Sequence, residues 1–312
     1  ASQRAGDSSR IVTGSGSTFN VAVSGMTGSG TVIATIPVGL VQDLAGNGNT
    51  ASTSVDNTVT FDATAPTVTV NQGGLQADPT NGMPINFTVV FSEAMTGFAT
   101  GDVTFTGSTA GGTLVGTVTG GGTTYNVAVT GMTGSGLVIV TVPAGVAVDI
   151  SGNGNTASTS TDNTVTYDVT APSVTINQAV GQADPTGASP INFTVVFSEP
   201  VSDFVTGDVS LSGAAGATTA VVSGGGTTYN VAVSGMTGPG DVIASILAGK
   251  ATDAAGNTNV VSTSTDNTVM YDSAALSVTI NQATGQADPT NASPINFTVV
   301  FNKPVTDFTN AD

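Results

Sequence analysis

One feature constrains this chain more than any other: it repeats itself. Pro-Ile-Asn-Phe-Thr-Val-Val-Phe begins at 84, 190 and 294, Gln-Ala-Asp-Pro-Thr at 76, 182 and 286, and Asn-Val-Ala-Val at 20, 126 and 230. The offsets are 106 and then 104 residues. A unit of that length is a small domain and is too long for a solenoid repeat. Residues 63–168 and 169–272 are complete copies, residues 1–62 match the last part of a copy, and residues 273–312 match the first part. The copies meet at short acidic joints: Phe61-Asp62-Ala63-Thr64-Ala65-Pro66, Tyr167-Asp168-Val169-Thr170-Ala171-Pro172, and the diverged Tyr271-Asp272-Ser273-Ala274-Ala275-Leu276. The chain has no initiating Met and opens inside a repeat, so it reads as a piece, or a processed form, of something longer.

Within 63–168 the hydrophobic period is two, the signature of half-buried strands. Val68 and Val70 share a face of a first strand, A. Ile85, Phe87, Val89 and Phe91 share a face of strand B, after a turn at Asp78-Pro79-Thr80-Asn81-Gly82. Ser92 to Gly101 reads as a loop, Asp102 to Thr106 as strand C, and Thr113–Thr119 as a weaker strand D. Gly120-Gly121-Gly122 then turns the chain into strand E, with Tyr125, Val127 and Val129 inward. Strand F spans Leu137 to Val142; Val138, Val140 and Val142 are apolar in every copy, while Leu137 aligns with Thr31 and Asp241 and so faces solvent. Strand G ends the unit with Val165 and Tyr167 inward. About seven short strands in each unit predict an all-β chain of tandem immunoglobulin-like β-sandwiches. At ~3.3 Å per residue, each sandwich is about 35–40 Å long, and a string of them makes an elongated rod.

Composition sets limits on partners. Gly is 41 of 312 residues and aromatics are 5%, which disfavours helix. Lys plus Arg is 4 against 21 acids, a net charge of −17. Nucleic acid and anionic membrane surfaces both require a basic footprint, so neither is an expected partner; cations are. The same charge also keeps a repetitive β-protein soluble. With no Cys and no His there is no disulfide, no zinc–thiolate site and no His-based catalytic triad. No apolar run of 18 residues spans a membrane in this segment.

Phe-Ser-Glu-Pro-Val at 197–201, the run from Phe204 through Thr206-Gly207-Asp208-Val209, and Thr252-Asp253-Ala254-Ala255-Gly256-Asn257 before a strand ending Tyr271-Asp272 resemble bacterial Ig-like repeats. The resemblance covers the chain except about its first ten residues. It implies the bacterial cell surface or the extracellular space, a stalk, fibre or adhesin, and in some members calcium at the joints.

Strand direction gives calcium a separate argument. If strand A starts at the near end of a sandwich, strands B, D and F finish there, and the B–C and F–G loops flank the preceding joint. Asp62, Glu93, Asp102, Asp149 and Asn153 are thereby expected to converge at the first joint. Asp168, Glu199, Asp208, Asp253 and Asn257 repeat the set at the second, with no basic residue expected among them. Carboxylates with an amide carbonyl suit Ca²⁺ better than Mg²⁺, which holds to strict octahedral geometry. Asp-x-x-Gly-Asn is also ordinary turn chemistry. At the third joint Lys303 replaces Glu93 and Glu199, so calcium binding there is expected to be weak or absent, with Lys303 paired to Asp272 or Asp312.

No catalytic constellation is found. The triple glycines precede strands, not helices, so they cradle no phosphate. Lys250 and Lys303 align with Val146 and Glu199, which argues against a repeated isopeptide. The leading expectation is a structural module whose partners are copies of itself, either joined in a longer chain or assembled head to tail, with 273–312 of one chain completing 1–62 of the next. An adhesin gripping carbohydrate or protein through its loops is the alternative; four Tyr and no Trp make a poor sugar platform.

Overall fold

The alternation of apolar and polar residues is realised directly as packed sheets. In the computed structural model residues 9–310 are described, and the chain divides into two compact units, 1–170 and 171–312. The first unit opens with β1 (Ser9–Ser15), β2 (Thr18–Ser24), β3 (Gly30–Ile33) and β4 (Thr58–Phe61). These form two hairpin-like pairs, β1 with β2 and β3 with β4.

A complete sandwich follows, made of β5 (Val68–Gln72), β6 (Ile85–Met95), β7 (Gly111–Gly134), β8 (Gly136–Ile139) and β9 (Thr164–Tyr167). One sheet has the order β5-β6-β7 and the other pairs β8 with β9. Ile85 lies opposite Val129, Phe87 opposite Val127 and Val89 opposite Tyr125. All six side chains are buried, and they pack against Val138 of β8, Val165 and Tyr167 of β9, and Val140 and Val142 just beyond β8, where the expected strand F is shorter than its apolar run. Leu137 stays in solvent. Three rings, Phe91, Phe98 and Tyr125, close one end of the core edge to face, with centroids 5.1–5.8 Å apart.

The second unit repeats this with β10 (Val174–Gln178), β11 (Ile191–Val201), β12 (Val209–Ser212), β13 (Thr219–Ser234), β14 (Gly240–Ile246) and β15 (Thr268–Tyr271). Its sheets are β10-β11-β13 and β12-β14-β15, two antiparallel sheets facing each other as in an Ig-like sandwich. A further pair, β16 (Val278–Gln282) with β17 (Phe297–Phe301), ends the described chain.

Several local expectations are corrected. Ser92 to Gly101 is not all loop: β6 runs on to Met95 after a register shift between Val90 and Met95. The Ser92 amide donates to the Thr67 carbonyl, the Thr67 amide donates to Ser92 Oγ, and the Tyr125 hydroxyl donates to the Met95 carbonyl at 3.1 Å, so both ends of the extension are anchored. Strand C of the first sandwich shrinks to a single bridge, Thr104 with Thr141; in the second it is the four-residue β12. Strands D and E are one element, β7, that doubles back through Gly120 and Gly122 at φ of +117° and +68°. A Cβ on Gly120 would lie 2.6 Å from the Thr124 carbonyl oxygen, so the tight turn requires glycine.

Phe193 is fully buried in β11, whereas Val196 on the same strand is 43% exposed. Phe193→Ala is expected to cost about 3–5 kcal/mol and Val196→Thr less than ~0.5 kcal/mol. Urea denaturation, read by hydrogen exchange on peptides of the second unit, checks the contrast; equal costs would mean the inward face is misassigned.

Candidate metal centre

The first joint is built from three pieces of chain. Asp62 follows β4, Glu93 lies in the extension of β6, and Asp149 opens the F–G loop. Each offers one carboxylate oxygen, and the three oxygens lie within 4.8 Å of one another. Two ligands on opposite sides of a Ca²⁺ ion, each at 2.3–2.6 Å, are about 5 Å apart, so this set fits around a single ion.

Asp149 is only 3% exposed. Its Oδ1 accepts the amides of Ser151 and Asn153 at 2.8 and 2.9 Å, and its Oδ2 accepts the Asn153 side-chain amide at 2.9 Å. Burial pushes the Asp149 carboxyl up, as does the negative charge of Asp62, but the Asn153 and Ser151 hydrogen bonds win and hold it below its ordinary value. The group is thus ionised beside another carboxylate, a repulsion that a cation would relieve. Asp62 is also held down, first by the Thr64 amide and next by the Ser29 hydroxyl. Its Oδ1 accepts both, at 3.0 and 2.8 Å. Asn153 ties the loop to the joint by donating to the Asp62 backbone carbonyl at 3.2 Å.

Asp102 is not brought into this group. Its Oδ2 accepts the Ala99 amide at 2.7 Å, so it braces the turn before strand C. Asp208 does the same for the Val205 amide at 2.8 Å. The expectation of no basic residue near the second set is corrected, because Lys250 Nζ lies 4.0 Å from Asp208. Asp253 repeats the Asp149 loop, accepting the Ala255 and Asn257 amides at 2.9 and 2.8 Å and the Asn257 side-chain amide at 2.9 Å. Glu199 lies in β11, in the same second unit. Asp168 belongs to the first unit, where Ser135 Oγ and the Thr170 amide donate to its Oδ1, each at 2.9 Å.

Two contributors escape a reading of acids alone. Ser29 and Ser135, from Gly-Ser-Gly turns, orient the joint aspartates. Asn155 and Asn259, 3% and 2% exposed, brace the F–G loops; Asn155 Oδ1 accepts the Ala147 amide at 3.0 Å and its Nδ2 donates to Pro143. Recurrence at Asn49, Asn155 and Asn259 was the available signal.

The third joint differs in chemistry. Pro239 stands at the position of Ser29 and Ser135. Lys303 donates to both Asp272 oxygens at 2.7 Å and to the Ala274 carbonyl at 2.5 Å. Of the two expected partners, Asp272 is the one observed; Asp312 lies outside the described residues.

Residues 62–167 and 168–270 each match the family model of the bacterial Ig-like domain. The chain belongs to that family. The matched stretches cover the two complete copies, so tandem Ig-like repeats are the architecture. The family is a non-catalytic structural fold, its domains are typically extracellular or surface-exposed, and in tandem they make structural or adhesion-type modules. Among curated proteins none matches. Among the described residues no helix is long and apolar enough to cross a membrane.

Asp272 is held below its ordinary value first by the Lys303 hydrogen bond and then by the Ala274 amide. A depressed carboxylate stabilises the fold above its unfolded value, and that contribution is lost as pH falls through the folded value. Lys303→Met is expected to move the Asp272 titration up toward an ordinary aspartate, seen by carboxyl ¹³C chemical shifts. An unmoved titration would show that Lys303 does not set it.

Proposed function

We propose that this chain is a segment of a bacterial surface stalk or filament whose first two joints are stiffened by Ca²⁺. The observation that carries the reading is the convergence of Asp62, Glu93 and Asp149 on one point where one domain passes into the next. Joining β4 of one repeat to β6 and the F–G loop of the following one through a shared ion would restrict the hinge between them. The joint sequence and its acids recur at Asp168, Glu199, Asp253 and Asn257, which supports the same role there. The copies are so alike that they suit a spacer. The third joint points the same way: where the acid of β6 becomes Lys303, an ammonium stands against Asp272. The joint aspartate is met by a cation from the chain itself.

Calorimetric titration of the chain with Ca²⁺ tests this. Two sites of similar affinity are expected, with Mg²⁺ weaker. Glu93→Gln and Asp149→Asn are each expected to weaken the first site about tenfold or more, by removing ligand charge. Asn at 149 keeps an oxygen for the Ser151 and Asn153 backbone amides and gives up the Asn153 side-chain bond at Oδ2, so the loop is weakened and retains two of its three bonds. At 100 times the dissociation constant, Ca²⁺ would add about 2.7 kcal/mol to the stability of the state that binds it. Small-angle scattering should show a stiffer chain with Ca²⁺ than with chelator. No heat and an unchanged scattering profile would remove the metal from the proposal.

A further inference from the structure

Three peptide bonds in this sequence join Asn to Gly, at Asn47, Asn81 and Asn153. Such a bond carries its own reagents. The glycine amide nitrogen is a nucleophile, and with no side chain beside it the backbone can bring it onto the asparagine side-chain carbonyl. In the turn at Asn81 that amide is engaged, because Gly82 N–H donates to Thr80 Oγ1 at 3.1 Å. At Asn153 it is not. Val148 and Gly154 face each other in an antiparallel bridge, but their neighbours make its bonds: the Asp149 amide to the Asn153 carbonyl and the Asn155 amide to the Ala147 carbonyl, each at 3.1 Å. Among the described residues the Gly154 amide donates to no protein acceptor.

The second sandwich holds the same loop with one telling difference. The Asn257 backbone amide donates to Asp253 Oδ1 at 2.8 Å and its side-chain amide to Asp253 Oδ2 at 2.9 Å, as Asn153 does to Asp149 at 2.9 Å in both cases. The flanking backbone bonds recur too, from Asp253 to Asn257 at 3.0 Å and from Asn259 to Ala251 at 2.9 Å. After the asparagine, however, stands the β-branched Thr258 in place of Gly154. Gly154 is not at positive φ, so its backbone suits other residues. A Cβ there would lie 3.2 Å from Gly145 Cα, and the second copy accommodates a threonine at the same place.

The Asn153 side-chain nitrogen does more than brace its own loop. Nδ2 donates both to Asp149 Oδ2 at 2.9 Å and to the Asp62 carbonyl at 3.2 Å, so one nitrogen ties the F–G loop to the joint. We infer that Asn153 is a slow deamidation site, and that its conversion releases the F–G loop from the first joint. The Gly154 nitrogen attacks Asn153 Cγ. A cyclic imide closes as the N–Cγ bond forms and the Cγ–Nδ2 bond breaks, and Nδ2 leaves as ammonia with the proton given up by the Gly154 amide. Water then opens the imide at either carbonyl, leaving aspartate or isoaspartate; in sum, asparagine and water become aspartate and ammonia. Both bonds of Nδ2 are lost with it, and a new carboxylate is left beside that of Asp149. The step is slow in the folded chain because the side chain must first leave both acceptors. This goes beyond the stalk reading and needs no ion, since Asp62, Asp149, Asn153 and Gly154 all lie in one compact unit.

The test follows the full chain in chelator, in warm, mildly alkaline buffer, by peptide mapping with mass spectrometry and isoaspartate detection. Asn153 is expected to convert about tenfold or more faster than Asn257, because no branched side chain obstructs the nucleophile. Gly154→Thr should lower the rate at Asn153 to that of Asn257, and Thr258→Gly should raise the rate at Asn257. Asn153→Asp reads the consequence: hydrogen exchange at the Ser151 amide should quicken about tenfold, while the core amides of Val127 and Val138 exchange as in the wild type. Equal rates at the two asparagines, conversion of Asn153 only after urea has unfolded the chain, or no protection by Gly154→Thr would each overturn the site. Unchanged exchange at Ser151 in Asn153→Asp would overturn its effect on the loop. Calcium titration is scored apart: a chain that converts at Asn153 yet binds no Ca²⁺ upholds this inference and removes the metal from the stalk reading.

Discussion

Everything in this molecule depends on burial of one face of strand B. Ile85, Phe87, Val89 and Phe91 alternate with Asn86, Thr88 and Val90, and the first four are buried almost completely. Each such side chain contributes roughly 1.5–3 kcal/mol when taken from water. That face fixes the register to β5 on one side and β7 on the other, because a one-residue slip would turn every one of these side chains outward. It also fixes where the strand ends. The extension through Glu93 to Met95, needed to seat Met95 and receive the Tyr125 hydroxyl, delivers a carboxylate to the joint. Core and joint are therefore not independent features: the same strand carries both.

At the joint, hydrogen bonds keep carboxylates charged where burial and mutual repulsion oppose it. Asp149 is the clearest case, with three donors outweighing its low exposure and the nearby Asp62. That arrangement has two physical readings in one loop. The amides of Ser151 and Asn153 make it a sound turn without any ion, and the first copy shows the same bonds at Asp43, where the Ala45 and Asn47 amides donate at 2.8 and 2.9 Å. A turn alone does not call for Glu93 and Asp62 to face it. Asp272 is the informative contrast, because a lysine reaches both of its oxygens and lowers its pKa directly.

Period-two alternation made the inward faces of A, B, E, F and G legible, because burial of a β-face depends only on residue type and parity. The ends of strands were less so. Ser92 and Glu93 look like loop residues, yet the hydrogen bonds of the Ser92 amide and hydroxyl to Thr67 and the anchoring of Met95 carry β6 through them. Strand C reads as a full strand over Asp102 to Thr106; Val103 is buried, but in the first sandwich only the Thr104 bridge pairs it. Among the acids, the three whose oxygens converge at the joint and the two that brace turns are the same residue types. Which is which depends on the local amides, Ala99 for Asp102 and Val205 for Asp208, and spacing does not reveal that.

Near-identity of the copies repeats the register rule as well as the core. The polar positions add selectivity to the apolar fit. Asn126 and Asn230 stand opposite Thr88 and Thr194, and each donates diagonally, to Asn86 and Asn192, at 3.2 and 3.3 Å. A shifted register would separate each amide from its acceptor, at about 0.5–1.5 kcal/mol. The inward apolar side chains and the outward asparagines thus select one register together, and the same residues select it in both complete sandwiches.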